Sequence, residues 1–158
     1  MYACGVLITG PSGIGKSQLA LELISRCHRL VADDGIELQV TADGKLLGQA
    51  PDGFGGLLAV RGLGVLNIVQ LYGPQAVSTR QRLDLHIVLS AQPPLLSEAH
   101  LLDGLSQRSE IAGCSLPTLY WTPQQPLAVL IECAVRRLQH PDHNVLAQLE
   151  PLLHVDPR

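Results

Sequence analysis

Eight consecutive residues carry the densest chemistry in the chain: Gly10-Pro11-Ser12-Gly13-Ile14-Gly15-Lys16-Ser17. Their spacing is G-x-x-x-x-G-K-[ST], the pattern of a loop that wraps a phosphate. Glycine lets the backbone bend tightly enough for successive N–H groups to converge on an anion at a helix N-terminus. Lys16 then reaches the β- and γ-phosphates of a nucleotide, and the Ser17 hydroxyl can ligate Mg²⁺. A second cluster of oxygens follows at Asp33-Asp34. Adjacent carboxylates can take a proton from a nucleophile, hold Mg²⁺, or simply close a strand with a turn.

The loop works only between a strand and a helix, and its flanks have that character. Residues 2–8 read as a buried strand, and residues 16–26 as a helix with Leu19, Ala20, Leu23 and Ile24 toward a sheet. Residues 29–32 read as a second short strand running into Asp33-Asp34. Residues 35–40 alternate as a half-exposed strand, 42–45 turn, and 46–50 return as a hairpin. After a glycine-rich loop at 51–56, residues 57–68 read as strand, tight glycine turn and a second apolar segment. Residues 82–89 form a core strand. Periodicity weakens over 91–114, a loop with at most a helical turn. Residues 118–121 suit an edge strand. Residues 127–138 form a helix with Leu127, Leu130, Ile131 and Ala134 on one face, and a last short helix is expected after Pro141-Asp142, capped by Asp142.

The whole is an α/β chain of 158 residues, long enough for one domain with a real core. Aromatic residues make up only 3%, so that core is built from Leu, Val, Ile and Ala. A net charge of −3 argues against general affinity for nucleic acid or an anionic membrane, and no apolar run reaches membrane-spanning length. Cys4, Cys27, Cys114 and Cys133 are scattered without a C-x-x-C, the pattern of thiols in a reducing cytosol. The phosphate loop begins ten residues from Met1, so the chain is either naturally short or a fragment.

Three strings together go further than the loop alone. Gly5-Val6-Leu7-Ile8-Thr9-Gly10 with the phosphate loop, Arg29-Leu30-Val31-Ala32-Asp33-Asp34, and Arg61-Gly62-Leu63-Gly64-Val65-Leu66-Asn67 resemble the catalytic domain of HPr kinase/phosphorylase. So does residues 127–136, and the likeness covers most of residues 2–137. The resemblance implies a P-loop, phosphoenolpyruvate-carboxykinase-like core with a mixed sheet and flanking helices, a single catalytic domain over 1–158. It implies a cytoplasmic enzyme that uses ATP and Mg²⁺ to phosphorylate a serine of HPr, the carrier protein of the sugar phosphotransferase system, and removes that phosphate by phosphorolysis. It implies a homohexamer. Asp34 matches the acid/base aspartate, Asp33 stands beside it with Ser17 on the metal, and Arg61 either contacts phosphate or protein substrate or forms a structural ion pair.

The chain departs from that pattern in three places. Ala59 occupies the position of a metal-binding glutamate, and a methyl cannot bind Mg²⁺. Gln125, within Pro123-Gln124-Gln125-Pro126, replaces an arginine. The resemblance also implies a catalytic histidine on a strand before the loop, to which none of the six histidines here corresponds. Arg108 is not assigned the role of the further arginine of that family. His86 reads as a core histidine, His140 and His143 beside Asp142 as a solvated helix start, and Arg136-Arg137 as an exposed helix face.

Overall fold

A computed structural model describes residues 4–97, 100 and 103–143. Its centre is the longest strand. In chain order the elements are β1 (Gly5–Thr9), α1 (Lys16–Ser25), β2 (Glu37–Val40), β3 (Leu46–Gln49), β4 (Leu57–Val60), β5 (Gly64–Asn67), α2 (Ile68–Tyr72), β6 (Arg80–Leu89), β7 (Arg108–Ile111), β8 (Cys114–Trp121) and α3 (Leu127–Gln139). The six-stranded sheet runs β2-β3-β6-β8-β7, and β1 also pairs with β6. The β1–β6 and β6–β8 pairs are parallel and the others antiparallel, so the sheet is mixed. Strands β4 and β5 form a separate hairpin.

Strand β6 alternates because its two faces differ. Leu85, Ile87 and Leu89 are fully buried and pack with Leu19 of α1 and with Leu127, Ala128, Ile131, Ala134 and Val135 of α3. A second cluster joins Ile24 and Leu30 to Leu58, Val60 and Ile68, and so ties α1 to the β4–β5 hairpin. On the other face of β6 the buried His86 bridges Thr9 (Nε2 to Oγ1, 2.8 Å) and Ser109 (Nδ1 to Oγ, 2.9 Å), and Ser109 reaches Thr118 at 2.6 Å. Burial lowers the His86 pKa, so the ring is held in its neutral form. This is the satisfied core histidine that the sequence suggested.

Several elements differ from expectation. Residues 29–32 form no strand: Leu30 makes an isolated parallel bridge to Val77, with its N–H on the Ala76 carbonyl, and the chain then turns. The β2 residues are all exposed rather than alternating, at one end of the sheet order among the described strands. Residues 68–72, which carried no assignment beyond the apolar segment ending at 68, form α2, where the Asn67 side chain accepts the Gln70 N–H and caps the helix. The weak stretch 91–114 contains β7, whose positive-φ turn at Ala112-Gly113 leads into β8. Strand β8 is therefore longer than residues 118–121 and lies inside the sheet order, although Thr118 to Trp121 pair with β6 alone among the described strands. On α3, Leu130 is half-buried while Ala128 and Val135 are buried instead. The short helix expected beyond Asp142 lies outside the described residues, as do the first two residues of the expected first strand.

Candidate functional site

The carboxyl ends of β1, β6 and β8 lie together, with Thr9 beside Val88 and Leu89 beside Trp121. Ligand crevices open at this end of parallel strands. Residues 10–15 leave β1 here and enter α1 with Gly15 as its N-cap at φ 111°, a left-handed conformation that a side chain would strain. Gly10 has a different reason. A Cβ there would lie 2.7 Å from the Leu89 carbonyl oxygen, so only glycine lets the loop start against the end of β6. Lys16 folds back over the loop, its ammonium donating to the carbonyls of Gly10 (2.9 Å) and Pro11 (3.0 Å).

Asp33 is brought to the loop by the segment after α1. That helix ends in a Schellman arrangement: His28 N–H donates to the Leu23 carbonyl and Cys27 N–H to the Ile24 carbonyl, with Cys27 in the left-handed region at φ 69°. The reversal sends Leu30 into its bridge and Asp33 back alongside α1. The Asp33 carboxylate accepts the Ser17 hydroxyl (3.0 Å) on one oxygen and the Ala59 N–H (2.9 Å) on the other. Asp34 beside it is exposed and makes no hydrogen bond among the described residues. Arg61, at the tip of the β4–β5 hairpin, has no carboxylate within 4.0 Å among the described residues. Its guanidinium lies over the loop, 3.5 Å from where a Cβ on Gly13 would stand. That geometry favours a role at the site over a structural ion pair.

A cleft of about 1200 Å³ takes in Gly10, Lys16, Ser17, Asp33, Asp34 and Arg61, so the charged and hydroxyl groups singled out by chemistry open onto one space, while Pro11 and Ile14 of the loop do not line it. Ala59 lines it too, its exposed methyl next to the Asp33 carboxylate through the N–H bond. The far wall holds a cluster that sequence reasoning passed over. Glu132 on α3 accepts from Arg26 Nε (2.8 Å) and NH2 (2.5 Å) and pairs with His28 Nε2 (2.9 Å). The Arg26 hydrogen bonds, with His28 second, hold its carboxyl down to about pH 2 in pKa, from an ordinary value of 4.5. Its position on α3, one residue from buried Ile131, was the available signal; its partners lie more than a hundred residues earlier and gave none. Gln125 is on neither wall of this cleft. Its Oε1 accepts the Thr122 N–H at 2.9 Å and closes the turn before α3. Arg108 bonds Ser115 in the β7–β8 hairpin. His140 and His143 are exposed just past α3.

A phosphate loop between a parallel strand and a helix, with a carboxylate on its serine, defines a P-loop nucleotide-binding fold of mixed α/β type. The sequence model of the HPr Serine kinase C-terminal domain matches residues 1–150. The chain belongs to that family. The HPr kinase/phosphorylase of Geobacillus sp. (strain WCH70) is 41% identical over 140 residues, 85% of this chain and 43% of that protein. That of Xanthomonas campestris pv. campestris (strain B100) is 44% identical over 140 residues, 86% of this chain and 44% of that protein. The chain thus spans less than half the length of these curated relatives. The solved structure of the HPr(Ser) kinase/phosphatase from Coxiella burnetii is 31% identical, covers 97% of this chain and 92% of its own, and superposes with a TM-score of 0.75.

Proposed function

We propose that this chain is an ATP-dependent serine kinase/phosphorylase whose protein substrate is HPr. The observation that carries the reading is the convergence of Lys16, Ser17, Asp33, Asp34 and Arg61 on one cleft, in a chain of this family. In this reading, residues 10–17 cradle the phosphates, and Lys16 leaves its two loop carbonyls for the β- and γ-phosphate oxygens. Asp34 takes the proton of the substrate serine as its oxygen bonds to the γ-phosphorus. The bond from that phosphorus to the β–γ bridging oxygen breaks, and ADP leaves. In phosphorolysis, an oxygen of inorganic phosphate attacks the phosphoserine phosphorus. Protonated Asp34 returns its proton to the departing serine oxygen, and pyrophosphate leaves. Arg61 neutralises charge on the transferring group from above the loop.

The residues present also fit Mg²⁺. Ser17 Oγ and an Asp33 oxygen stand 3.0 Å apart, a hard oxygen pair on the wall that would face the phosphates, and Mg²⁺ commonly takes only one or two protein ligands beside phosphate and water. The ion would neutralise charge between the β- and γ-phosphates. The same reading makes the protein cytoplasmic and homo-oligomeric, a hexamer as the family resemblance implies. Exposed Phe54, Leu63, Val65 and Leu71 supply apolar surface for assembly, and light scattering measures the mass. Among the described residues, no helix is long and apolar enough to cross a membrane.

Incubation with Mg-ATP and HPr should give phosphoserine on HPr by mass spectrometry. Absence of product from a chain that binds ATP would refute the kinase reading. A second reading rests on Ala59: a nucleotide-binding regulatory protein of the same fold with weakened chemistry. Under it, Ala59→Glu with Gln125→Arg restores transfer, and a double variant as inactive as the unmodified chain counts against it.

A further inference from the structure

A second, smaller cleft of about 250 Å³ lies where the loop and α1 meet the turn before α3. It has no role in the chemistry above. Gly15 and Gln18 border both this cleft and the large one, so the two spaces adjoin at the N-terminus of α1. Its volume falls below the ~300–1,000 Å³ of pockets that enclose a whole drug-sized ligand, so it suits one ring system of a larger molecule. Its apolar lining comes from Ile14 and Leu19 of the loop and α1 and from Pro123, Pro126 and Leu127 of the turn and the start of α3. Rigid aliphatic walls of this kind hold the faces of a flat base.

Polar groups at the rim set what that base can be. The Gln125 Oε1 is committed to the Thr122 N–H, and its side-chain NH2 has no partner among the described residues. Two amide hydrogens are thus available to ring-nitrogen acceptors. The exposed Glu22 carboxylate offers an acceptor for an exocyclic amino group or a ring N–H. The turn is itself fixed, since the Gln125 N–H donates back to the Thr122 carbonyl and Leu130 N–H to that of Pro126. Little ordering is left for the ligand to impose.

We propose that this cleft is the purine subsite of the nucleoside triphosphate, with the base between Ile14 and the two prolines and Gln125 donating to its edge. The inference rests on the nucleotide reading and adds to it the position of the base and a role for Gln125. It predicts that affinity divides between the two clefts. Inorganic tripolyphosphate, which has no base, uses the large cleft alone.

The test is calorimetric titration of the full chain with ATP, GTP, CTP and tripolyphosphate. ATP or GTP should bind at least about tenfold more tightly than tripolyphosphate, with CTP behind the tighter purine. The better of ATP and GTP tells adenine from guanine. Gln125→Glu keeps the acceptor for the Thr122 N–H and removes the donors; Gln125→Met removes both. Each should weaken the preferred purine nucleotide about tenfold. In Gln125→Met, tripolyphosphate affinity should stay unchanged. Photolabelling of the unmodified chain with 8-azido-ATP should mark residues 14–22 or 122–127, a readout that needs no variant to fold. Equal affinity for ATP and tripolyphosphate, CTP as tight as both purines, or label confined to other peptides would overturn the subsite. If neither ATP nor tripolyphosphate binds, the nucleotide reading itself fails and the subsite with it.

Discussion

Asp33 offers the sharpest perturbation, because its two oxygens have separate duties. One accepts the Ser17 hydroxyl and the other the Ala59 N–H, at 3.0 and 2.9 Å. Asp33→Ala removes both bonds. A hydrogen bond to a charged group contributes about 1.5–3 kcal/mol when well shielded, and partial exposure here brings each nearer to about 1 kcal/mol. The loss is then about 2 kcal/mol, which lowers Tm by about 4–8 °C in a chain of this size. Asp33→Asn behaves differently. Its oxygen can take the Ala59 N–H while its NH2 donates to the Ser17 oxygen, since a hydroxyl accepts as readily as it donates. Only the charge assistance is lost, under about 1 kcal/mol, and Tm should fall by no more than about 3 °C. Both variants lack the anionic oxygen that would hold Mg²⁺ beside Ser17. Calorimetric titration with ATP, with and without Mg²⁺, should therefore show the Mg²⁺-dependent gain in affinity lost in both. Equal destabilisation by Asn and Ala would refute the two-donor geometry. Full Mg²⁺ dependence in Asp33→Asn would refute the metal role while leaving that geometry intact.

Asp34→Asn alters an exposed side chain without hydrogen-bonded partners among the described residues, so Tm and ATP affinity should stay as they are while phosphoserine formation on HPr falls at least about a hundredfold by mass spectrometry; retained transfer would reassign the base. Lys16→Ala should abolish measurable ATP binding by titration, and unchanged affinity would make the loop decorative. Glu132→Gln tests the Arg26–His28 clamp through pH. The folded carboxyl titrates at about 2 and the unfolded one near 4.5, so its contribution is fully present above pH 4.5 and is lost as pH falls toward 2. In thermal melts the variant should be less stable than the unmodified chain at pH 7, with the gap closing across that window. A gap independent of pH would mean the clamp acts through packing alone.

What the sequence disclosed and what it concealed divide along a physical line. The phosphate loop was legible because its function needs a contiguous string: glycines where the backbone is left-handed or crowded, then lysine and serine on the first helical turn. Strand β6 and helix α3 were legible because one buried face imposes a period on each. Residues 29–32 were misjudged as a strand since apolar content cannot tell a single bridge from a ladder, and the partner, Val77, sits in an unremarkable loop. Strand β7 was missed because Arg108, Ser109 and Glu110 have little apolar character, and β8 supplies the pairing. The Arg26–His28–Glu132 clamp joins sites distant in the chain, which no local pattern encodes.

Ala59 makes the same point at the site itself. As a side chain, it offers only a methyl at a position where the family resemblance implies a metal-binding glutamate. As a backbone position, it is intact, because its N–H still holds the Asp33 oxygen at 2.9 Å. Main-chain donation is indifferent to side-chain identity, so the residue type at position 59 says nothing of this bond to Asp33. The consequence is a separation of roles. The β4–β5 hairpin still fixes Asp33 against Ser17 and carries Arg61 over the loop, whatever residue 59 is, so phosphate binding is expected to be independent of the substitution. Under the proposed mechanism, any cost of Ala59 should fall on the transfer step, where a carboxylate in place of the methyl would add an anionic oxygen beside those of Asp33 and Asp34.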